Sequence, residues 1–573
     1  MASALDQAID GIISQLTGPG SQLEVAPTTI RGETYPAFKA APTNMREFFA
    51  FFFALQGDRE FLVYNDERLS FAQVYAQGVR IASALQARGI AKGDRVVIAM
   101  RNYPEWITSF IGVLHLGAIA VPVNAWWRGE ELAYSVAHCG ARLVIADEER
   151  AGRLAGLASF TVPVLTVRTS PEAAGRLGYA RLEDATAAAA PAPWYLPPLD
   201  PEDDATIMYT SGSTGIPKGA VSTHRAIVTG ALTYLVTGLS LLQLSITNGV
   251  APPDQHVMLL NVPLFHITGS VAVMLVSIAI GRKLVIMHKW DAGEALRLIE
   301  AERATYFVGV PTMSLEMMNH PDRARYDLSS LADIASGGAA RPPEHVERLA
   351  AAFPGISPAQ GYGLTETNAV GAGIYRSNYL EKAGSTGRPT RPMVDIAIFT
   401  DDMVPVPTGE VGEICIKSAA NVRGYWSNPE ATAVAFAAGG WFRTGDLGYL
   451  DADSYLFIVD RKKDIIIRGG ENISCQEIEA ALYAHPAVAE ASVFGLPDER
   501  LGEVVGAVVY PKPGATLHAE ELIRFVAGQL ASFKVPARLW LTTDPLPRIA
   551  SAKIDKGTLR KLYGARQPTP ATV

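Results

Sequence analysis

From Phe71 onward the chain alternates short β-branched runs with helical stretches, and this alternation restricts the possible folds more than any other feature. The runs Arg95–Met100, Ile119–Val123 and Leu143–Ala146 are too short for buried helices and are separated by segments with helical spacing. Strands alternating with helices make βαβ units and a mostly parallel sheet. The pattern resumes at Val257–Leu260, Lys283–Met287, Tyr306–Val310 and Asp333–Ser336. From Val394 to Ile416 the apolar period shifts towards two, as in an antiparallel unit. A last block, from Ile465 to about Tyr563, repeats a smaller α/β pattern around Ala491–Phe494 and Val504–Tyr510. No repeat at solenoid spacing is present. The expected fold class is α/β: a large N-terminal domain of βαβ layers with a β subdomain, and a small C-terminal α/β domain.

A length of 573 residues is enough for several domains with large cores. Hydrophobic residues make up 48% and charged residues 19%, a globular balance on the apolar side. The net charge of -8 and the lack of a long Lys/Arg block argue against a nucleic-acid partner. Cys139, Cys415 and Cys475 are far apart and form no CxxC pair, so a reducing, cytoplasmic setting is expected. The first residues lack a basic stretch followed by an apolar core, and no secretory signal is expected. Two runs without Asp, Glu, Lys or Arg, 226–253 and 255–281, raise the question of a membrane. Glycines and polar residues interrupt both, so buried core elements explain them better than a span of about 20 apolar residues; peripheral membrane contact stays open.

Residues 1–45 read as a leader that packs on the body, helical over Leu5–Leu16. Met45–Leu55 is an apolar helix, and Ser70 is the N-cap of the next one. The Ala/Pro-rich stretch 187–198 is expected to be a surface crossing.

The chemistry centres on Tyr209–Gly219, reading Tyr-Thr-Ser-Gly-Ser-Thr-Gly-Ile-Pro-Lys-Gly directly after an apolar run. Thr210, Ser211, Gly212, Ser213, Thr214 and Gly215 can wrap backbone N–H groups and hydroxyls round a polyphosphate, with Lys218 as a mobile positive charge. Lys218 follows a proline and precedes a glycine, so this is not a Walker A loop. In Ser336-Gly-Gly-Ala339 the small residues Gly337, Gly338 and Ala339 let backbone lie close to a ligand. In Gln360-Gly-Tyr-Gly-Leu-Thr-Glu-Thr367, Tyr362 offers a flat face for a base and Thr365 a hydroxyl for a phosphate. Glu366 is a hard carboxylate suited to Mg²⁺.

Further signatures follow in Pro263-Leu-Phe-His-Ile-Thr-Gly269, Gly440-Trp-Phe-Arg-Thr-Gly-Asp446, Asp460-Arg-Lys-Lys-Asp-Ile-Ile-Ile-Arg-Gly-Gly-Glu-Asn-Ile473 and Pro547-Arg-Ile-Ala-Ser-Ala-Lys-Ile-Asp555. Taken together and in this order, the motifs resemble the adenylate-forming superfamily: acyl-CoA synthetases, peptide-synthetase adenylation domains and firefly-type luciferases. The likeness covers roughly residues 45–560.

The resemblance implies that Tyr209–Gly219 holds the ATP phosphates and that the Gln360, Gly361, Tyr362, Gly363 and Thr365 segment holds the nucleotide. It implies that Asp446 accepts the ribose hydroxyls, with Arg461 as a second ribose or phosphate contact. Lys463 falls at the family's hinge, which divides the chain into a leader (1–45), a large domain (46–462) and a mobile small domain (463–573). Lys553 matches the catalytic lysine of adenylation, and Ala552 stands where the family usually has glycine. Cys475 replaces a common proline and is read as structural. His266 borders the carboxylate pocket, and the glycines of Arg468-Gly-Gly-Glu-Asn, Gly470 among them, let a pantetheine arm approach. Lys534 is a candidate for contact with a CoA phosphate, and a solvated lysine is the alternative.

The implied reaction joins a carboxylic acid to a thiol. The acid attacks the α-phosphorus of ATP, giving acyl-AMP and pyrophosphate, and CoA then displaces AMP. Thr210, Lys218, Glu366 with Mg²⁺, and Lys553 would converge on the charge of the first step. The apolar run 269–280, the line Val308–Thr312 and the small residues 336–340 hold no Lys or Arg. With Gly269, Gly309 and Gly337 among them, they suggest a roomy, uncharged pocket for a medium- or long-chain fatty acid. Aryl or sterol acids would fit the same segments. Other readings are an acyl-AMP ligase that loads a carrier protein, a luciferase-type oxygenase, and a non-catalytic nucleotide- or lipid-binding relative. Family members are often dimers, so a homodimer is one expectation.

Overall fold

The parallel strands are continuous apolar runs because helices cover both of their faces. In the computed structural model, which describes residues 2–210, 217–339, 341–549 and 553–564, these runs form two large sheets. The eight-stranded sheet places Arg95–Ala99 at its centre, between Ile119–Pro122 and Leu143–Asp147. On the Ile119–Pro122 side it continues through Asp204–Thr210, Lys218–Thr223 and Gly424–Tyr425. The nine-stranded sheet runs in the order Arg388–Pro389, Gly371–Tyr375, Ser357–Gly363, Asp333–Gly337, Tyr306–Gly309, Val257–Leu260, Lys283–Ile286, Glu60–Tyr64, Glu67–Ser70.

Between the sheets lies the largest core, built from Met45–Gln56, Phe71–Gln86, Pro104–Leu116 and the first turns of His224–Thr247. Ser70 caps the second of these helices through its Oγ, and Gln73 closes a capping box. Phe53, Phe61 and Phe71 pack ring against ring there, and Trp106 stacks on Phe110.

The 24-residue helix His224–Thr247 is long and apolar enough to cross a membrane, but 67% of its most apolar window is buried inside the protein. The second uncharged run supplies the strand Val257–Leu260 and the helix Thr268–Ile280, whose first eight residues have π geometry. A third sheet is antiparallel and contains Asp395–Phe399, Gly412–Lys417, Trp441–Leu450 and Leu456–Arg461. The change of period at Val394 marks its start.

The C-terminal sheet holds Ile466–Arg468, Glu471–Ile473, Val488–Asp498, Gly502–Pro511 and Arg538–Leu541 around a core of its own. Asp460 joins it to the large domain: its Oδ2 accepts from the N–H groups of Cys475 and Gln476 and the Ser474 hydroxyl, at the start of helix Cys475–Tyr483. Cys475 is buried there, and burial raises its thiol pKa, which disfavours the thiolate form that a nucleophile needs. At the other end of the chain, Ala4–Thr17 is a helix with a Ser3–Asp6 capping box. The buried Asp6 carboxylate accepts from Asn378 Nδ2 at 3.0 Å and the Tyr455 hydroxyl at 2.8 Å, and Arg388 stands 3.4 Å away.

Candidate active site

The site sits at the carboxyl ends of the parallel strands, where an open α/β sheet presents loops and glycines to ligands. The antiparallel pair Asp204–Thr210 and Lys218–Thr223 holds both ends of the Gly-rich loop, with Thr210 opposite Lys218. Ser211, Gly212, Ser213, Thr214 and Gly215 lie outside the described residues, as does Ala552. Lys218 Nζ stands over the Tyr425 ring, 5.1 Å from its centre, and the Tyr425 hydroxyl donates to Glu366 Oε1 at 2.9 Å. One tyrosine thus links the loop's lysine to the buried carboxylate. Burial raises the Glu366 pKa, and the Tyr425 hydrogen bond opposes that shift. Thr365 is half-buried in the single 3₁₀ turn that carries Glu366.

Tyr362 is buried on strand Ser357–Gly363, and its hydroxyl donates to Asp446 Oδ2 at 2.7 Å. Arg461 Nε is 3.2 Å from Asp446 Oδ1, across the antiparallel pair that sets Asp446 opposite Arg461. Burial pushes the Asp446 pKa up while Arg461 holds it down. Gln360 is buried and donates to the Ala339 carbonyl at 3.1 Å, which fixes the chain beside Gly338. Gly361 leaves room for a ligand, because a Cβ there would meet nothing within 4 Å. Gly363 is required by packing: its Cβ would lie 1.9 Å from the Ala369 carbonyl oxygen.

The small domain contributes Lys553. Its Cε lies 3.3 Å from the place a Cβ on Gly338 would occupy, and Gly338 has φ +75°. Burial, reinforced by the nearby Arg461 charge, lowers the Lys553 pKa to about 8. His266 is pushed down to about 3 by burial and by Lys553, so its imidazole is neutral. Its Nδ1 faces the Thr268 N–H at 3.4 Å. Lys553, Gly338, Ala339, Gln360, Arg461 and Lys463 line one interdomain cleft of about 1790 Å³.

Of the glycines expected to line the acid pocket, Gly269 and Gly309 serve packing. Gly269 packs so closely that a Cβ would fall 2.2 Å from the Pro263 carbonyl oxygen, which fixes the turn carrying His266. Gly309 turns its Cβ position towards Met313, Phe307 and Asn261, on the face opposite Val308. Gly470 has φ +92° in the exposed turn between Ile466–Arg468 and Glu471–Ile473, and it does not line the cleft that holds Lys553. A Cβ on Gly337 would lie 3.4 Å from the Gly361 carbonyl oxygen on the neighbouring strand. Lys534 is paired with Glu477 at 2.7 Å.

Comparison with known proteins gives this geometry its family. The AMP-binding enzyme profile matches residues 50–426, and the profile of the C-terminal domain of AMP-binding enzymes matches 477–553. The chain belongs to the AMP-binding enzymes. Within that family it is 36% identical over 497 residues to a feruloyl-CoA synthase from Amycolatopsis sp, covering 87% of this chain and 94% of the relative. It is 35% identical over 507 residues to the long-chain-fatty-acid–CoA ligase FadD13 of Mycobacterium tuberculosis, covering 88% and 95%. The solved anthranilate CoA ligase AuaEII in complex with anthranoyl-AMP superposes with a TM-score of 0.79 at 26% identity, covering 91% and 97%. The protein is an AMP-forming acyl-CoA ligase of the adenylate-forming superfamily, and its substrates are a carboxylic acid, ATP and CoA.

Proposed function

We propose that the protein activates an apolar monocarboxylic acid of medium length, aliphatic or aryl, and transfers it to CoA. The observation that carries the active-site assignment is Lys553 standing over Gly338, in the same cleft as Arg461 and beside the neutral His266. A cation delivered there by the small domain can neutralise charge as a carboxylate meets a phosphate.

In this reading Asp446 accepts the ribose hydroxyls, Tyr362 and Arg461 hold that carboxylate in place, and the open surface of Gly361 receives the nucleotide. Thr210 and Lys218 hold the phosphates at the base of the Gly-rich loop. Glu366 fits a one-carboxylate Mg²⁺ position, since Mg²⁺ takes one or two carboxylates with phosphate oxygens and water. Bound there, the ion would withdraw charge from the phosphates. The carboxylate of the substrate attacks the α-phosphorus and pyrophosphate leaves; the CoA thiol then attacks the acyl carbon and AMP leaves. The neutral His266 borders the acid without adding a second charge beside Lys553.

Relatives named for feruloyl, indoleacetate and long-chain fatty acids match at similar identity, so likeness alone does not choose among acids. The test supplies MgATP, CoA and a panel of short, medium and long aliphatic, aryl and sterol acids, with products read by mass spectrometry. Acyl-CoA with AMP from apolar monocarboxylic acids of medium length supports the reading. Turnover confined to short, charged or sterol acids would refute the choice of acid, and no product from any acid would refute the ligase reading itself.

A further inference from the structure

The segment that carries Lys553 is pinned on both sides of the lysine. Ile549 donates its N–H to the Lys553 carbonyl at 2.8 Å, and Asp555 donates its N–H to the Pro547 carbonyl at 2.7 Å. Between these bonds Arg548 and Ile554 form an antiparallel bridge. Asp555 then caps helix Lys556–Gly564: its Oδ1 accepts from the Thr558 N–H at 3.0 Å and its Oδ2 from the Thr558 hydroxyl at 2.8 Å. The lysine at the site and the first residue of this helix are only three positions apart.

Two carboxylates of the small domain hold this hairpin from outside. Arg548 donates to Glu490 on strand Val488–Asp498, and Glu490 Oε2 accepts from the Leu546 N–H at 2.7 Å. Lys556 Nζ stands 2.8 Å from Glu479 Oε1 on helix Cys475–Tyr483. The same oxygen accepts from the Val493 N–H at 2.8 Å, so one carboxylate ties together a helix, a strand and the lysine. Asp460 of the large domain holds the start of helix Cys475–Tyr483. A path of charge-assisted hydrogen bonds and one helix therefore leads from Asp460, through Glu479 and Lys556, to the segment of Lys553.

The two lysines of this segment differ in their surroundings. Lys556 and Glu479 keep 27% and 18% of their side-chain surface accessible, so the pair belongs to the wall of the cleft and not to the core. Loss of water pulls the Lys556 pKa down, but the charge of Glu479 outweighs it and leaves the ammonium more firmly charged than usual. Lys553 makes no ion pair within 4 Å among the described residues, and its pKa falls. One cation is satisfied inside the small domain. The other reaches the site without a carboxylate of its own.

We propose that Glu479 and Lys556 are positioning residues for adenylation: their ion pair fixes the start of helix Lys556–Gly564 and so sets where Lys553 stands over Gly338. The pair acts through Lys553 and takes no part in the chemistry itself. Accuracy matters here, because a misplacement of about 1 Å at a reacting centre can cost about 10²-fold in rate. Both partners lie in the small domain and travel with it, so the thiol step should not depend on them. The inference deepens the ligase reading and rests on Lys553 being the lysine of adenylation.

The test measures the two half-reactions on the purified full-length enzyme. ATP–pyrophosphate exchange with a preferred acid reports adenylation, and thioester formation from supplied acyl-AMP and CoA reports the thiol step. Lys556→Met keeps most of the stem and removes the charge; exchange should fall at least about tenfold, chiefly in kcat, while thioester formation stays within about threefold. Lys556→Arg, which can still reach Glu479, should recover most of the exchange. Glu479→Gln keeps an oxygen for the Val493 N–H and should show the same selective loss. The double variant, Glu479→Gln with Lys556→Met, leaves neither charge unpaired, which guards against loss of folding. It should lose no more exchange than the larger single variant, because both singles break one contact. A pair that only stabilises the small domain would lower both half-reactions together. Exchange at the wild-type rate in both single variants, or equal losses in the two half-reactions, would overturn the inference while leaving the ligase reading intact. A wild-type enzyme without exchange for any acid would instead count against the ligase reading.

Discussion

Lys553 of the small domain closes over Gly338 of the large one, so that a Cβ on this glycine would stand 3.3 Å from the lysine Cε and 3.6 Å from its Nζ. The contact spans two domains that are otherwise built round separate cores. The described arrangement is the one in which the small domain's cation reaches the phosphate-binding end of the sheet. Gly338 also has a φ of +75°, which side chains other than glycine rarely adopt. Gly338→Ala should therefore displace Lys553 and slow acyl-adenylate formation by about 10²-fold. ATP–pyrophosphate exchange measures this, and an unchanged rate would mean that the contact is incidental.

The pH dependence should report the same lysine. With its pKa lowered to about 8 by burial and Arg461, Lys553 is charged below that value and neutral above it in the free enzyme. The kcat/KM for ATP in the adenylation step should then fall as pH rises through about 8, by up to about tenfold per unit. Lys553→Arg, charged throughout this range, should move the falling limb upward. A flat profile to pH about 10 in the wild type would contradict the assignment.

Asp446 should matter for ATP more than for the acid. Its carboxylate is shared by the Tyr362 hydroxyl at 2.7 Å and Arg461 at 3.2 Å. Asp446→Ala should lower kcat/KM for ATP by about 10- to 100-fold, the effect of losing hydrogen bonds to a charged group, chiefly through KM. The KM for the acid should change little. Steady-state kinetics with each substrate varied in turn separates the two.

Asp6 gives a test without catalysis. Asp6→Ala leaves Asn378, Tyr455 and Arg388 facing a lost carboxylate and should destabilise the fold by about 1–3 kcal/mol. Pyrophosphate exchange should be retained. Thermal unfolding measured beside that exchange checks both halves; a loss of activity at full stability would give the N-terminal helix a role in the site.

Strand order and site differ in how far they can be read from sequence, for local reasons. Val257–Leu260 and Asp333–Ser336 announce themselves as short apolar runs, and Ser70 with Gln73 marks a helix start. Tyr425 does not: it reaches Lys218 and Glu366 only because Gly424–Tyr425 pairs with a strand about two hundred residues earlier. Gly309 reads as a pocket glycine because Tyr-Phe-Val-Gly carries no polar alternation in its sequence to say which way a position points, although its burial does alternate. The sequence sets Gly470 in a turn motif, whereas its position relative to the cleft follows from the orientation of the small domain. The approach of Lys553 to Gly338 is likewise a fact of domain placement, which no local pattern encodes.

The measurement that tests the account most directly follows Lys553→Ala through the two half-reactions separately. ATP–pyrophosphate exchange with a preferred acid reports adenylation, and release of acyl-CoA from supplied acyl-AMP and CoA reports the thiol step. The account predicts that exchange falls by at least about 10²-fold, as for loss of one preorganised charge-stabilising group, while thioester formation from acyl-AMP keeps most of its rate. Exchange at the wild-type rate would contradict it, because the cation over Gly338 would then have no part in joining the acid to AMP.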